Sequence, residues 1–148
     1  VSEKINPDIV VNIQGDEPKI DPNIIDSLIL LFNDSSVEMA SVASTNLTGD
    51  DLTNPNIVKV YLDDNNYALN FERNISLQDQ QYFRHIGIYA YRSEILKKFT
   101  NLDQTDNEKK FKLEQLRALD NDIAIKILIT NFQHRSIDIK DDLKYYEV

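Results

Sequence analysis

Apolar and polar positions alternate along this chain in short blocks, and the period within each block assigns an element. Residues 8–14 carry the β-branched run Ile9, Val10, Val11 and Ile13, which predicts a short strand of the kind buried inside a parallel sheet. Asp21-Pro22 reads as N-cap and first helical residue. The helix it opens runs to about Phe32, with Ile24, Ile25, Leu28, Ile29 and Phe32 on one buried face. Asn33-Asp34-Ser35-Ser36 ends it, and residues 39–44 form a second strand with Ala40, Val42 and Ser44 on one face. Strand, helix, strand is a βαβ unit, so the two strands are expected to be parallel with a right-handed crossover.

Residues 45–56, rich in Asn, Asp and Thr, read as loop and close on Asn54-Pro55-Asn56. Residues 57–62 and 67–71 alternate as strands around the turn cluster Asp63-Asp64-Asn65-Asn66, which predicts a β-hairpin. Residues 72–81 are polar and irregular. In the strand 84–91, His85, Gly87, Tyr89 and Tyr91 share one face and Ile86, Ile88 and Ala90 the other. Ser93 caps a short helix through Phe99, and residues 101–107 are loop. A helix over 109–119 turns Leu113, Leu116 and Leu119 inward, and Phe111 loosely so. A strand at 124–130, an extended piece at 136–139 and a helix at 140–147 finish the chain. The alternation points to a single domain of the α/β class: a three-layer sandwich with a mostly parallel central sheet and an inserted antiparallel hairpin. That hairpin has few helical partners and one apolar face. It is expected to form a homodimer surface through residues 57–72, the alternative being that it packs on its own domain.

Composition narrows the function. With 16 basic against 25 acidic residues, for a net charge of −9, the 148-residue chain lacks the basic face a nucleic-acid binder needs. A small anionic substrate is still compatible, because a metal ion and a few local cations can hold one. No apolar run has the length of a membrane span. The absence of cysteine excludes disulfides and thiolate metal sites and suits a reducing cytoplasm. The three glycines, at 15, 49 and 87, form no glycine-rich phosphate loop. Either nucleotide is not held by such a loop, or the loop lies upstream of Val1.

Four sets of residues carry possible chemistry. Gln14, Asp16 and Glu17 follow the first strand across Gly15 and before Pro18. They therefore sit at the carboxyl end of a central strand, where open α/β sheets bind ligands and a carboxylate is placed for a divalent cation. Taken in isolation, Asp16 and Glu17 read as ordinary solvated turn residues. His85 and Tyr89 flank the small Gly87 on one strand face, leaving a shallow polar slot suited to a sugar or hydroxy acid, or else a half-buried histidine and a core tyrosine. Glu114 and Gln115 lie between apolar positions near a helix start, as hydroxyl ligands or as a solvated face. Asp138 reads as an N-cap, or as the second carboxylate of a metal site beside Asp16. One or two carboxylates plus substrate phosphates is the usual Mg²⁺ arrangement.

These motifs, in this order, resemble the 3-deoxy-manno-octulosonate cytidylyltransferase family. The matching stretches are Val11-Asn12-Ile13-Gln14-Gly15-Asp16-Glu17-Pro18, Asn54-Pro55-Asn56-Ile57-Val58-Lys59-Val60, Ala68-Leu69-Asn70-Phe71-Glu72-Arg73, Arg84-His85-Ile86-Gly87-Ile88-Tyr89-Ala90-Tyr91-Arg92 and Leu113-Glu114-Gln115-Leu116-Arg117-Ala118-Leu119. The resemblance implies transfer of a cytidylyl group from CTP to an eight-carbon acidic sugar, with pyrophosphate released, in the service of lipopolysaccharide synthesis. It implies Asp16 and Asp138 as Mg²⁺ carboxylates and catalytic residues, and Gln14, His85, Tyr89, Glu114, Gln115 and Arg73 as sugar-site residues.

Three departures stand out. The family's opening strand and basic, glycine-containing CTP loop have no counterpart after Val1, so the chain alone is expected not to turn over CTP. Glu72 stands where the family usually has Ser before the arginine, and the following loop lacks the usual proline and tryptophan. Residues 136–143 lack the Gly, Thr and Pro of the family's last motif. These departures keep two other readings alive: a cytidylyltransferase for another acidic sugar, and a non-catalytic relative that keeps the sugar pocket and dimer surface.

Overall fold

The computed structural model describes residues 7–14, 20–77 and 79–132. Among these, six strands form one sheet: β1 (Ile9–Ile13), β2 (Met39–Ser44), β3 (Lys59–Leu62), β4 (Ala68–Glu72), β5 (Phe83–Arg92) and β6 (Ile125–Thr130). The order is β4-β3-β5-β2-β6, with β1 also on β5. At ten residues, β5 is long enough for two partners on one edge. Phe83 and Arg84 meet β3, Ile88 to Arg92 meet β1, and the other edge carries β2.

The three-layer α/β class is as expected, but the sheet is mixed, and the expectation of a mostly parallel one is corrected. β1, β2, β3 and β6 run one way and β4 and β5 the other, so among the described residues only β2 and β6 pair in parallel. The strands β1 and β2 are co-directional, as a βαβ unit requires, yet β5 lies between them. The reason is physical: a nearly continuous apolar strand reports helices on both faces of the sheet, not the direction of the neighbouring strand.

α1 (Pro22–Leu30), extended by a 3₁₀ turn at Leu31–Asn33, is capped by Asp21, which accepts from the Asn23 amide at 2.9 Å. Its Ile24, Leu28 and Phe32 cover Ala40, Val42, Ile86, Ile88 and Ala90 on one face of the sheet. Ile29, expected inward, is exposed. The segment read as loop after β2 contains one helical turn, α2 (Gly49–Thr53). There the Thr48 hydroxyl accepts from the Asp51 amide and the Asp51 carboxylate from the Thr48 amide, a capping box.

The opposite face packs Met39, Val60, Phe71, Tyr89 and Tyr91 under α3 (Ser93–Thr100), α4 (Asp106–Phe111) and α5 (Gln115–Leu119). Ser93 is the first helical residue and not the cap; its hydroxyl donates to the Pro7 carbonyl. The single helix expected over 109–119 is two. Thr105 accepts from the Glu108 amide and starts α4 early, and Lys112 in the left-handed region, φ 54°, ends it. That break turns Phe111 outward while Leu113 and Leu116 remain buried.

The hairpin of β3 and β4 is part of the same sheet. Asp63 shapes its turn by accepting from the amides of Asn65 and Tyr67, with Asn66 at φ 59°. Val60 and Phe71 are 0% and 1% exposed, so the hairpin's apolar face is covered by its own domain. Of its large apolar side chains, Leu69 is the one turned outward, at 53% exposure. The Gly15–Pro18 turn with Asp16 and Glu17, the extended piece at 136–139 with Asp138, and the helix at 140–147 lie outside the described residues. No helix among the described residues is long and apolar enough to cross a membrane.

Candidate active site

The site is organised around a bulge in β5. β2 and β5 pair regularly from Met39↔Tyr91 to Ser41↔Tyr89, and then Val42 pairs with Ile86. Gly87 and Ile88 are thus left over as extra residues on β5, and such a bulge re-aims the neighbouring side chains. On the other edge Ile13 pairs with Ile88, which carries Gln14 opposite Gly87. A Cβ at Gly87 would lie 2.6 Å from Gln14 Oε1 and 3.0 Å from its Cδ. The glycine is therefore what lets the Gln14 amide settle over β5.

The rings along that face make a continuous row. His85 meets Phe71 edge-on at 5.0 Å and Tyr89 at 5.5 Å, Tyr89 meets Tyr91 at 6.3 Å, and Tyr91 meets Phe99 at 5.9 Å. Burial drives the Tyr89 hydroxyl well above its ordinary pKa, with Tyr91 and the Glu114 carboxylate adding to the effect. Burial, then Glu114, does the same to Tyr91. Glu114 thus lies within electrostatic reach of both hydroxyls. Of the residues singled out in the sequence, His85 and Tyr89 share the ring row and Gln14 lies over Gly87 on the same strand, while Glu114 reaches Tyr89 and Tyr91 through its charge.

Glu114 and Gln115 part company. Glu114 is exposed and tethered to Arg117 at 3.3 Å. Gln115 is only 5% exposed, and its amide has no hydrogen-bond partner among the described residues. A buried amide left unpaired costs about 1–3 kcal/mol.

Arg73 stands apart from this group. It follows Phe71 by two residues at the end of β4, and its guanidinium donates to the carbonyls of Pro55 at 3.1 Å and Asn56 at 3.5 Å. It lines a groove of about 670 Å³ with Phe71, Lys110 and Phe111. Glu114 lines a different cavity, of about 540 Å³, with Glu108, Leu113 and Arg117. Asp16 and Asp138 lie outside the described residues. Among the described residues no three His, Cys, Asp or Glu side chains form a metal cluster.

Several supporting residues lie within the matching stretches but are not among the candidate site residues. Lys59 is fully buried in β3 and donates to the Asn54 and Arg73 carbonyls at 2.6 and 2.7 Å; desolvation lowers its pKa. It ties the approach to β3 to the exit from β4. Glu72, the departure before Arg73, is also buried. It accepts from the Ser76 amide and hydroxyl and from the Tyr82 hydroxyl, at 2.6–2.9 Å, so a carboxylate folds the loop after Arg73. A lone charge inside an alternating apolar strand was the available signal for both. On the far side, Arg117 grips Glu108 through two hydrogen bonds of 2.7 and 2.6 Å and lies 4.9 Å over the Phe99 ring.

Known proteins share this chain's pattern. A family model described as cytidylyltransferase matches residues 1–127. The 3-deoxy-manno-octulosonate cytidylyltransferase of Chloroherpeton thalassium is 42% identical over 96% of this chain, and that of Thermodesulfovibrio yellowstonii 41% over 94%. The structure of CMP:2-keto-3-deoxy-manno-octonic acid synthetase complexed with CTP superposes with a TM-score of 0.90 at 28% identity, over 98% of this chain and 62% of that one. The inositol-1-phosphate CTP transferase of T. maritima, at 19% identity and a TM-score of 0.60, shares the fold. The chain spans 61% and 59% of the length of the two curated relatives. On the match over residues 1–127 and the likeness to these relatives, the chain belongs to the cytidylyltransferase family.

Proposed function

We propose that this chain carries the sugar side of a 3-deoxy-manno-octulosonate cytidylyltransferase, which joins CTP and the eight-carbon acidic sugar into CMP-sugar and pyrophosphate for lipopolysaccharide synthesis. The observation that carries the reading is the Gln14 amide seated over Gly87, on the strand whose His85 and Tyr89 rings meet at 5.5 Å, in a family whose relatives are named for this sugar. Gln14 and His85 would contact sugar hydroxyls. The Tyr89 hydroxyl, kept neutral by burial, would donate rather than bear charge. Glu114 would accept from a hydroxyl, and Gln115 would regain a partner. The Arg73 guanidinium has no carboxylate within 4 Å among the described residues and suits the sugar's own carboxylate.

Asp16 and Asp138 are hard oxygen donors of the type Mg²⁺ takes, and they would hold the ion; bound there, it would offset charge on the triphosphate. The setting would be the cytoplasm. The second copy of a homodimer would meet the hairpin's outer side at Leu69, since Val60 and Phe71 are committed to the core.

The test is His85→Ala in the intact natural protein, followed by pyrophosphate release. Losing a hydrogen bond to a polyhydroxylated anion should cost about 1.5–3 kcal/mol, which raises the KM for the sugar roughly tenfold to a hundredfold and leaves the KM for CTP near its original value. A change confined to CTP would overturn the assignment.

A further inference from the structure

We propose that Ser41 is a positioning residue that fixes the tautomer of His85, so that the neutral imidazole carries its proton on Nε2 and presents Nδ1 as an acceptor. Ser41 lies in the middle of β2, fully buried, in a strand that is buried at every position. Its hydroxyl reaches across the β5 bulge to two groups at once: the Ile88 carbonyl at 2.8 Å and His85 Nε2 at 2.9 Å. The Ile86 carbonyl is a third, distant neighbour at 3.5 Å.

A hydroxyl has one proton, and a carbonyl oxygen has none to give. Two oxygens 2.8 Å apart in a buried site need a proton between them, since without one their lone pairs face each other. The Ser41 proton is therefore directed to the Ile88 carbonyl. That leaves a lone pair of Oγ towards His85, and Nε2 must supply the proton of the second bond. In histidine, the hydrogen bond made by one nitrogen sets the state of the other. Neutral His85 is thereby an acceptor at Nδ1, whichever group it meets there.

The bulge explains why a serine does this. Regular pairing would bond the Ile88 carbonyl into the ladder, whereas the shift of register between Ser41 and Val42 leaves it to a side chain. The consequence is a specificity rule, which rests on the sugar reading of His85. The imidazole accepts from a sugar hydroxyl, and it selects against a carboxylate or carbonyl oxygen at that point, which would meet a lone pair.

The experiment is ¹⁵N NMR of the imidazole nitrogens in this chain, at a pH where His85 is neutral. With two histidines in the sequence, His85→Gln assigns the pair by removing one set. The expected result is a pyrrole-like Nε2 and a pyridine-like Nδ1 for His85, a mixed or reversed pattern in Ser41→Ala, and restoration in Ser41→Thr, which keeps the hydroxyl. A pyridine-like Nε2 in the unmodified chain overturns the inference and needs no variant to fold. A Ser41→Ala spectrum that is folded and unchanged at His85 also overturns it. If the tautomer is as stated but His85→Ala leaves the sugar KM unmoved, the positioning stands and the sugar assignment falls, so the two failures are distinguishable.

Discussion

Arg117→Met is the substitution that separates the architecture of the site from its chemistry. Arg117 and Glu108 are 12% and 6% exposed at their side chains and share two short hydrogen bonds. Methionine keeps the stem's packing and removes the charge. Among the described residues, Glu108 would then keep Gln104 as the hydrogen-bond donor to its buried carboxylate, beside the Thr105-capped helix start. Removing one partner of a buried pair costs about 3–5 kcal/mol. The adjoining cavity admits water to this one, so the low end applies, about 3 kcal/mol, well above the roughly 1 kcal/mol ceiling for surface pairs. With a urea m-value of about 2 kcal/mol/M, the denaturation midpoint should fall by about 1.5 M.

The pH dependence supplies a second, independent sign. Arg117 chiefly, helped by Gln104, holds the Glu108 carboxyl below its ordinary value of 4.5. Its contribution is therefore present above that value and lost as pH falls beneath it. In Arg117→Met the contribution is absent, so the gap between the two proteins should close on acidification. The double variant Glu108→Gln/Arg117→Met should recover most of the loss, because no charge is stranded. A loss below about 1 kcal/mol, or a gap that stays constant into acid, would refute the reasoning.

Two further outcomes follow from burial. Leu69→Asp should convert a dimer to monomer in sedimentation without unfolding it, whereas Val60→Asp should unfold the chain; a dimer unaffected by Leu69→Asp removes the hairpin from the interface. Tyr89 and Tyr91 have pKa values raised by burial above the ordinary 10.0, so they stabilise the fold below that pH and cease to do so as pH rises beyond it. Phenolate absorbance should show them ionising only as the fold is lost; reversible titration of all seven tyrosines near pH 10 in a folded chain would contradict this.

Much of the fold was legible because local rules acted alone. Asp21-Pro22 started a helix where expected, and the two faces of β5 separated into two cores, with Tyr89 and Tyr91 in one and Ile86, Ile88 and Ala90 in the other. Failures arose where a distant partner decided. Periodicity identified β1, β2 and β5 as strands, but the insertion of β5 between the other two is a matter of the whole chain's path. The helix over 109–119 broke at Lys112 because Leu113 and Leu116 had to reach the sheet core while Glu108 and Arg117 closed on each other. Spacing along one segment cannot express that compromise.

The candidate site shows the same division at finer scale. His85, Gly87 and Tyr89 were legible as one strand face, because alternation needs only the backbone. That Gln14 would lie over Gly87 follows from a register between β1 and β5, which sequence alone leaves open. The two most constrained polar groups nearby, Ser41 and Lys59, give no sign of their role in the sequence, because each sits in an apolar strand. Yet a hydroxyl or ammonium tolerated at zero exposure must be fully used by its surroundings, since an unpaired one would cost more than the packing it displaces. Here the uses are explicit: Lys59 holds the carbonyl of Arg73, and Ser41 holds the bulge and the imidazole of His85. Both act one bond away from a proposed sugar contact. In this fold the residues that orient the site are therefore buried beneath it, and what marks them in the sequence is their unsuitability for the strands they occupy.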